Sequence, residues 1–256
     1  MWRSSALDPA AIERLKEARR RLDLKPLVVH DNYLINMAAA DRSIRARSIA
    51  AFRAEIGRCL AIGADYLVFH PGSYKGQTLE ESIRTLVRSL EEAAEGLAGR
   101  RLMLLLENTA GSGSAIGGRF GELAAVRRAV SRNLRLRIGY CLDTAHCLAS
   151  GYDVASAEGL EATVREARRI LGLSRVRIIH ANDSKAPPGS RVDRHEHIGR
   201  GYIGMQGFRR ILNHPGLRDK AFILETPIDR EGDDRRNLLT LKRLCRKSLT
   251  TTTRSS

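Results

Sequence analysis

The run LRIGYCLDTAH, from Leu136 to His146, decides the architecture: an apolar stretch ends abruptly in Asp143, and a second potential ligand, His146, follows three positions later. A near-continuous apolar run is the signature of a strand buried on both faces in a parallel sheet, and such a strand has no need of a terminal carboxylate. Five further runs repeat the pattern. Leu27-Val28-Val29 is followed by His30, Tyr66-Leu67-Val68-Phe69 by His70, Leu102 to Leu106 by Glu107, Val176 to Ile179 by His180, and Phe222-Ile223-Leu224 by Glu225. The steps between successive terminal residues are 40, 37, 36, 37 and 45, each near the length of one strand–helix unit.

Segments of helical period fill the intervals. Ile49, Phe52, Ile56, Cys59 and Leu60 share one face, and Ile83, Leu86, Val87, Leu90, Ala94 and Leu97 another, with Arg and Glu opposite. Asp8-Pro9 reads as an N-cap followed by proline at the first helical position, with Ile12, Leu15 and Leu22 expected on the buried side. Alternating strands and helices imply a parallel sheet with right-handed crossovers, either open or closed into a barrel. The strand ends choose between these: polar residues at every C-terminal strand end converge on the mouth of a barrel, whereas an open sheet strings them along a line. The expected fold is therefore an α/β (β/α)8 TIM barrel with six of its eight strands in this chain. It forms one incomplete domain, residues 1–248, followed by a polar, disordered tail, 249–256. Two βα units are unaccounted for at the front, since the 26 residues before Leu27 hold a single helix.

Composition bounds the partners. The chain has 44 Lys and Arg against 29 Asp and Glu, a net charge of +15, which suits a polyanion such as nucleic acid but equally a merely solubilising surface. No apolar run is long enough to span a bilayer, and MWRSSALDPAAIERL lacks the features of a secretory signal. Cys59, Cys141, Cys147 and Cys245 form no C-x-x-C pair, so a cytoplasmic protein with no membrane partner is expected.

Taken singly, each terminal His reads as a hydrogen-bonded structural residue and each carboxylate as an ion-pair partner. Jointly they do not, because several carboxylates at one mouth repel one another unless a cation lies among them. A mixed His and carboxylate set suits zinc or manganese, whereas magnesium prefers oxygen alone. His146, three residues after Asp143, and Asp193 and His195, alternating around Arg194, bring the candidates to nine. At about three or four protein ligands per catalytic ion, that set holds two or three ions, an arrangement suited to phosphoester hydrolysis. His197 reads as a solvated loop residue, with spare ligand or phosphate contact as alternatives, and His214 in a turn takes no role. The glycines of AGSGSAIGG, Ala110 to Gly118, fit neither phosphate-loop nor dinucleotide spacing and read as a flexible loop.

The strings VVHDNYLIN (Val28 to Asn36), FHPGS (Phe69 to Ser73), LENTAG (Leu106 to Gly111), CLDTAHCLASGYD (Cys141 to Asp153), HANDSK (His180 to Lys185), SRVDRHEHIGRGYIG (Ser190 to Gly204) and LET (Leu224 to Thr226) resemble the endonuclease IV family of apurinic/apyrimidinic endonucleases. The resemblance implies a monomeric, trinuclear zinc barrel, with manganese in part, acting in base excision repair on double-stranded DNA. It implies cleavage 5′ to an abasic site, leaving a 3′-hydroxyl and a 5′-deoxyribose phosphate. His30, His70 and Glu107 would hold one zinc. Glu107 would bridge to a second, bound also by Asp143, His180 and Glu225, and His146, Asp193 and His195 would hold the third. Glu107, Asp143 and Glu225 are the implied catalytic carboxylates. Tyr33 matches an aromatic that approaches the lesion, and Arg191 and Arg194 sit on a loop suited to phosphates. Family members begin with further strands ahead of the positions matching Trp2 and Arg3, so a start assigned at an internal Met is expected, the alternative being a shortened protein. Two other functions fit parts of the pattern: a sugar isomerase or epimerase of related architecture, needing only one or two metals, and a non-catalytic DNA-binding relative.

Overall fold

The computed structural model describes residues 7–97, 101–130 and 137–245; Trp2, Arg3, Leu136 and the tail 249–256 lie outside the described residues. Its strands are β1 (Val28–His30), β2 (Tyr66–Phe69), β3 (Met103–Glu107), β4 (Arg137–Asp143), β5 (Val176–His180), β6 (Asp183–Ser184), β7 (His195–Glu196) and β8 (Ala221–Ile223). Its α-helices are α1 (Pro9–Arg21), α2 (Arg42–Ile62), α3 (Leu79–Ala94), α4 (Phe120–Ala129), α5 (Thr144–Ala149), α6 (Ala157–Ile170), α7 (Gly204–Asn213) and α8 (Asp233–Leu244). Six strands form one parallel sheet in the order β1-β2-β3-β4-β5-β8, curled into part of a TIM barrel. β6 and β7 pair antiparallel as a small ribbon beyond the main sheet.

Period-two alternation divides each strand between two cores. Leu67, Phe69, Leu104, Leu106, Tyr140, Leu142 and Ile179 face outward, where α2, α3, α4, α6 and α7 supply Phe52, Ile56, Leu86, Leu90, Phe120, Leu123, Leu160, Phe208 and Ile211. Inside the curl a second, smaller cluster is built from Val68, Leu105, Cys141 and Ile178, with Val28 and Ile223 against it. Each of these six stands two residues before a strand-end candidate: His70, Glu107, Asp143, His180, His30 and Glu225 respectively. The barrel interior is thus a polar layer resting on an apolar one. Gly139 belongs to that inner face, where a Cβ would lie 2.8 Å from the Arg175 carbonyl and 3.0 Å from both Leu105 and Met103. The β4–β5 register shifts between Tyr140 and Cys141, so that Tyr140 pairs with Val176 but Cys141 with Ile178.

The helices begin where the sequence indicates. Asp8 caps α1, accepting from Ala10 and Ala11 with Pro9 at the first helical position, and Thr78 with Glu81 forms a capping box on α3. One expectation is corrected. The apolar side of α1 is not buried: Leu15 and Leu22 are 42% and 58% exposed, and no residue of the helix is buried. The helix packs chiefly on α2 and is pinned by Arg19, which bonds the Gly63 carbonyl and pairs with Asp65, so a polar anchor replaces the apolar one. Among the described residues no helix is long and apolar enough to cross a membrane.

Candidate metal centre

Parallel register brings the strand ends level. Asp143 pairs directly with His180 across β4 and β5, and Glu107 follows Leu106 at the end of β3 beside Cys141. Glu107 and Asp143 are fully buried, and His180 nearly so. The two oxygens of Glu107 divide between neighbours. Oε2 lies 2.9 Å from His30 Nε2 and 3.4 Å from His70 Nε2. Oε1 lies 2.9 Å from His180 Nδ1 and 3.5 Å from His146 Nδ1. Glu225 Oε2 stands 3.0 Å from the same His180 nitrogen.

The remaining candidates arrive from the connections. Asp143 caps α5, its Oδ1 accepting from the His146 N–H at 2.8 Å, which carries the imidazole back over the mouth. The β6–β7 ribbon sets Ser184 opposite His195, with Asp193 just before it. His146 Nε2 lies 3.2 Å from Asp193 Oδ2, and His195 Nε2 lies 3.5 Å from Asp193 Oδ1 and 3.7 Å from Asp143 Oδ2. The nine candidates fall into three ligand groups: His30, His70 and Glu107; Glu107, Asp143, His180 and Glu225; and Asp143, His146 and His195, with Asp193 alongside. Cys141, not among the candidates, adds a thiol beside Glu107 and His180.

The imidazoles are oriented by their far nitrogens. Nδ1–H of His30 donates to the Asp31 carbonyl at 2.9 Å, that of His146 to the Asn108 carbonyl at 2.9 Å, and that of His195 to the Glu225 carbonyl at 3.0 Å. In the neutral ring such bonds place the proton on Nδ1 and leave Nε2 free to bind a metal at the centre. The Nε2 atoms of His70, His146 and His195 are buried without a hydrogen bond of acceptable geometry, although carboxylate oxygens stand 3.2 to 3.7 Å away. Two ligands bound at ~2.0–2.1 Å to one tetrahedral ion stand ~3.3–3.4 Å apart. These separations and unsatisfied nitrogens, in a set mixing nitrogen and oxygen donors, fit a bound metal ion better than a network of hydrogen bonds.

Electrostatics agree. Burial would raise the Glu107 carboxyl, but the charge and hydrogen bond of His180, with His30 and His70, hold it well below its usual range. Burial would lower His30 and His146, yet the bond to Glu107 raises the first to about 9, and Asp143 with Asp193 raises the second to about 10. The His146 imidazole, its Nε2 3.2 Å away, pulls the Asp193 carboxyl down to about 2. Without metal, the cluster is held by protonated rings against ionised carboxylates.

Two asparagines absent from the sequence reading brace this cluster. Asn108 Oδ1 accepts from the Asp143 N–H at 2.7 Å. Asn182 Nδ2 donates to Asp143 Oδ2 and, at 3.5 Å, to Glu225 Oε2, while its Oδ1 accepts from the Glu225 N–H at 2.7 Å. Each lies one or two residues past a strand-end ligand, the only signal available. Asp183 faces the other way, its buried carboxylate accepting from the N–H groups of Gly199, Gly201, Ile203 and Gly204.

Beside the centre lies a cavity of about 270 Å³ lined by Tyr33, Asn36, His70, Ser73, His146 and Asp193. Tyr33 is 83% exposed on its rim. The wall depends on Gly72, with φ +95°, where a Cβ would lie 2.3 Å from Asn36 Oδ1. Arg191 (φ +57°) and Arg194 sit exposed on the segment leading to His195; Arg191 accepts from Ser112 Oγ through its carbonyl, and Arg194 turns back onto the Asp193 carbonyl. The glycine-rich 110–118 loop is cross-tied, with Thr109 N–H on the Gly117 carbonyl and Gly117 N–H on Glu122, rather than free. His197 joins none of the ligand groups. It is also not solvated: Nδ1 accepts from Asn237 Nδ2 at 3.0 Å. His214 caps α7 and pairs with Glu161 at 3.0 Å.

The family model described as xylose isomerase-like TIM barrel matches residues 1–246. A "probable endonuclease 4" of Solibacter usitatus is 55% identical over 97% of this chain and 86% of its own length. One from Chloroflexus aurantiacus is 41% identical over 95% and 85%. The crystal structure of endonuclease IV from Thermus thermophilus superposes with a TM-score of 0.82 at 36% identity, covering 95% of this chain and 84% of that one. A D-tagatose 3-epimerase-like protein, 20% identical with a TM-score of 0.69, shares the fold alone.

Proposed function

Since this chain belongs to the endonuclease IV family, we propose that it is a metal-dependent DNA endonuclease of base excision repair, hydrolysing the phosphodiester 5′ to an abasic site and leaving a 3′-hydroxyl and a 5′-deoxyribose phosphate. The observation that carries this reading is the chain of three contiguous ligand groups linked through Glu107 and Asp143. An isomerase or epimerase of this architecture needs one or two ions, fewer than these groups accommodate.

About three zinc ions, manganese in part, would be held by His30, His70 and Glu107; by Glu107, Asp143, His180 and Glu225; and by His146, Asp193 and His195. When bound, they supply the Lewis acidity that makes a nucleophile near neutral pH and neutralises the leaving oxygen. Glu107 presents one oxygen to each of two groups, so it fixes their spacing, and its full burial keeps that spacing rigid. Asp143 does the same toward the third group while its other oxygen caps α5. Glu225 closes the open side of the second group against His180, and with Glu107 and Asp143 it would serve as a catalytic carboxylate. Tyr33 presents an aromatic face at the cavity rim for the lesion, and Arg191, tied through its carbonyl to the cavity's Ser112, and Arg194, folded onto the Asp193 carbonyl, would supply positive charge for backbone phosphates. The partner is double-stranded DNA carrying abasic sites, the acting species a monomer, and the compartment the cytoplasm.

The test uses a duplex with a single abasic site. The metal-loaded chain should cut it on the 5′ side, stop when a chelator strips the metal, and carry about three ions by elemental analysis. Stoichiometric metal without any cleavage would leave a non-catalytic binder instead.

A further inference from the structure

Between the segment that follows β7 and one face of α8 lies a second cavity, of about 240 Å³, which none of the metal-ligand candidates lines. Its walls are His197 and Arg200 on one side and Arg236, Asn237, Thr240 and Arg243 on the other. Arg236, Thr240 and Arg243 recur at helical spacing, so they share one face of α8. We propose that this cavity is a phosphate-binding site separate from the metal centre, and that its occupant is a backbone phosphate of the DNA. The choice of DNA as the source rests on the endonuclease reading; the phosphate chemistry does not.

Three observations carry the proposal. The first is unopposed charge. Neither a hydrogen bond nor an ion pair engages the guanidinium of Arg200 or of Arg243 among the described residues. The single carboxylate in the lining, Asp233, is already taken by the Arg230 N–H at 2.7 Å and by the Arg236 guanidinium. Two other acids stand near the cavity's histidine: Asp229, 3.6 Å from His197 Nε2 with its side chain 75% exposed, and Glu196, whose Oε1 accepts from the His197 backbone N–H at 2.8 Å. Some arginines of the outer helices face acids, as in Arg84–Glu80 at 2.6 Å and Arg58–Glu55 at 3.4 Å; what sets Arg200 and Arg243 apart is that both line one cavity.

The second observation is rigidity. The N–H groups of Gly199 and Gly201, on either side of Arg200, both donate to the buried Asp183 carboxylate, at 2.9 and 3.0 Å. The Ile198 N–H donates to Asn237 Oδ1 at 3.0 Å, which bolts this wall to α8. Pre-organised walls spare an incoming ligand the cost of ordering them.

The third is donor polarity. Asn237 also donates through Nδ2 to Thr226 Oγ1 at 2.9 Å and to His197 Nδ1 at 3.0 Å. Because Nδ1 of His197 accepts, Nε2 carries the proton, and the cavity presents N–H donors from imidazole and guanidinium alike, the pattern that phosphate oxygens require. The site is also joined to the centre along the chain: His195 of the third ligand group and His197 of the cavity are two residues apart.

The experiment compares the metal-loaded chain with the double substitution Arg200→Ala, Arg243→Ala. Two quantities are read: the dependence of duplex affinity on salt, and the number of inorganic phosphate ions bound by calorimetric titration. The double variant should lower the slope of log affinity against log salt by about 1 to 2 and bind one phosphate fewer, with unchanged metal content. The paired Arg→Lys substitutions should restore most of the slope. If the phosphate count falls but the slope does not, the site takes free phosphate and its assignment to DNA is overturned. Should neither change while metal content shows the variant folded, there is no site at all. A lowered slope in a chain that never cuts abasic DNA would leave this site standing and remove the endonuclease reading instead.

Discussion

Six of the nine ligand candidates leave the ends of strands, whereas His146, Asp193 and His195 sit on the connections beyond them, and the two sets are held by different forces. The strand-end set is placed by sheet register and by the apolar layer two residues below, in contacts that owe nothing to the other ligands. Of the connection set, His146 alone has an apolar support, the buried helix α5 with Cys147 and Leu148 in the outer core. His146 hangs on the Asp143 carboxylate and the Asn108 carbonyl, and His195 on the Glu225 carbonyl and the β6–β7 ribbon. Dependence therefore runs one way: the outer ligands need the inner ones, and the inner ones stand alone.

The sharpest way to break that asymmetry is Glu107→Gln. Because Glu107 is shared by two groups and anchors four imidazoles, the change should remove more than one ion per chain and cut turnover by about 1000-fold or more, roughly 4 kcal/mol of transition-state stabilisation. Elemental analysis and single-turnover cleavage read both; loss of a single ion would show that Glu107 does not bridge. Asp193→Asn tests the other side. Only the outermost ion should weaken, with the others retained and turnover falling by about 100-fold. Simultaneous loss of every ion would mean the inner set does not stand alone.

Asn182→Ala addresses the link between the sets, since this amide spans Asp143 and Glu225. Removing a brace behind metal ligands should cost about 10- to 100-fold in metal affinity while the melting temperature of the loaded protein, at saturating metal, changes little. A variant that binds metal as tightly as the original would reduce Asn182 to a local hydrogen bond. The smallest effect is one of pH, in chelator-treated protein. His30 and His146, raised from 6.5 to about 9 and about 10, stabilise the fold fully below 6.5 and lose that contribution as pH rises through those values. Asp193 and Glu107, both lowered, contribute above 4.5 and lose it as pH falls toward 2. These four groups place the metal-free optimum between 4.5 and 6.5, and Asp31, its buried carboxyl raised to about 8, draws it toward the acid end. Metal should extend stability upward because it replaces the ring protons. A metal-free melting temperature that stays flat from pH 6 to pH 10 would remove the protonated rings from the account.

What the sequence conveyed follows the same division. The strand-end ligands could be read from spacing because one polar residue interrupting each apolar run is a local signal, and the Asp143–His146 interval could be read because a capping bond spans three residues. The braces Asn108 and Asn182 could not, since a short polar residue after a strand looks like turn chemistry until its partner, thirty or more residues away, is known. His197 failed for a related reason: its partner Asn237 lies on a distant helix, so the residue read as solvated. The exposed side of α1 shows the reverse error, in which an apolar period suggested a burial that its packing does not provide.

The register shift between β4 and β5 gives the mouth its parity. Tyr140 faces Val176, yet one residue on Cys141 faces Ile178, so Arg177 is a supernumerary residue in β5. Were Arg177 to take an ordinary place in the ladder, the count along the strand would slip by one, and every later side chain of β5 would exchange faces. Ile179 would then turn into the barrel and His180 out toward the helices. A single-residue deletion beyond Arg177, at Ile179, would leave composition, charge pattern and hydrophobic run almost untouched, yet it would withdraw the imidazole that Glu107 and Glu225 share. In this strand, the chemistry is a matter of odd and even.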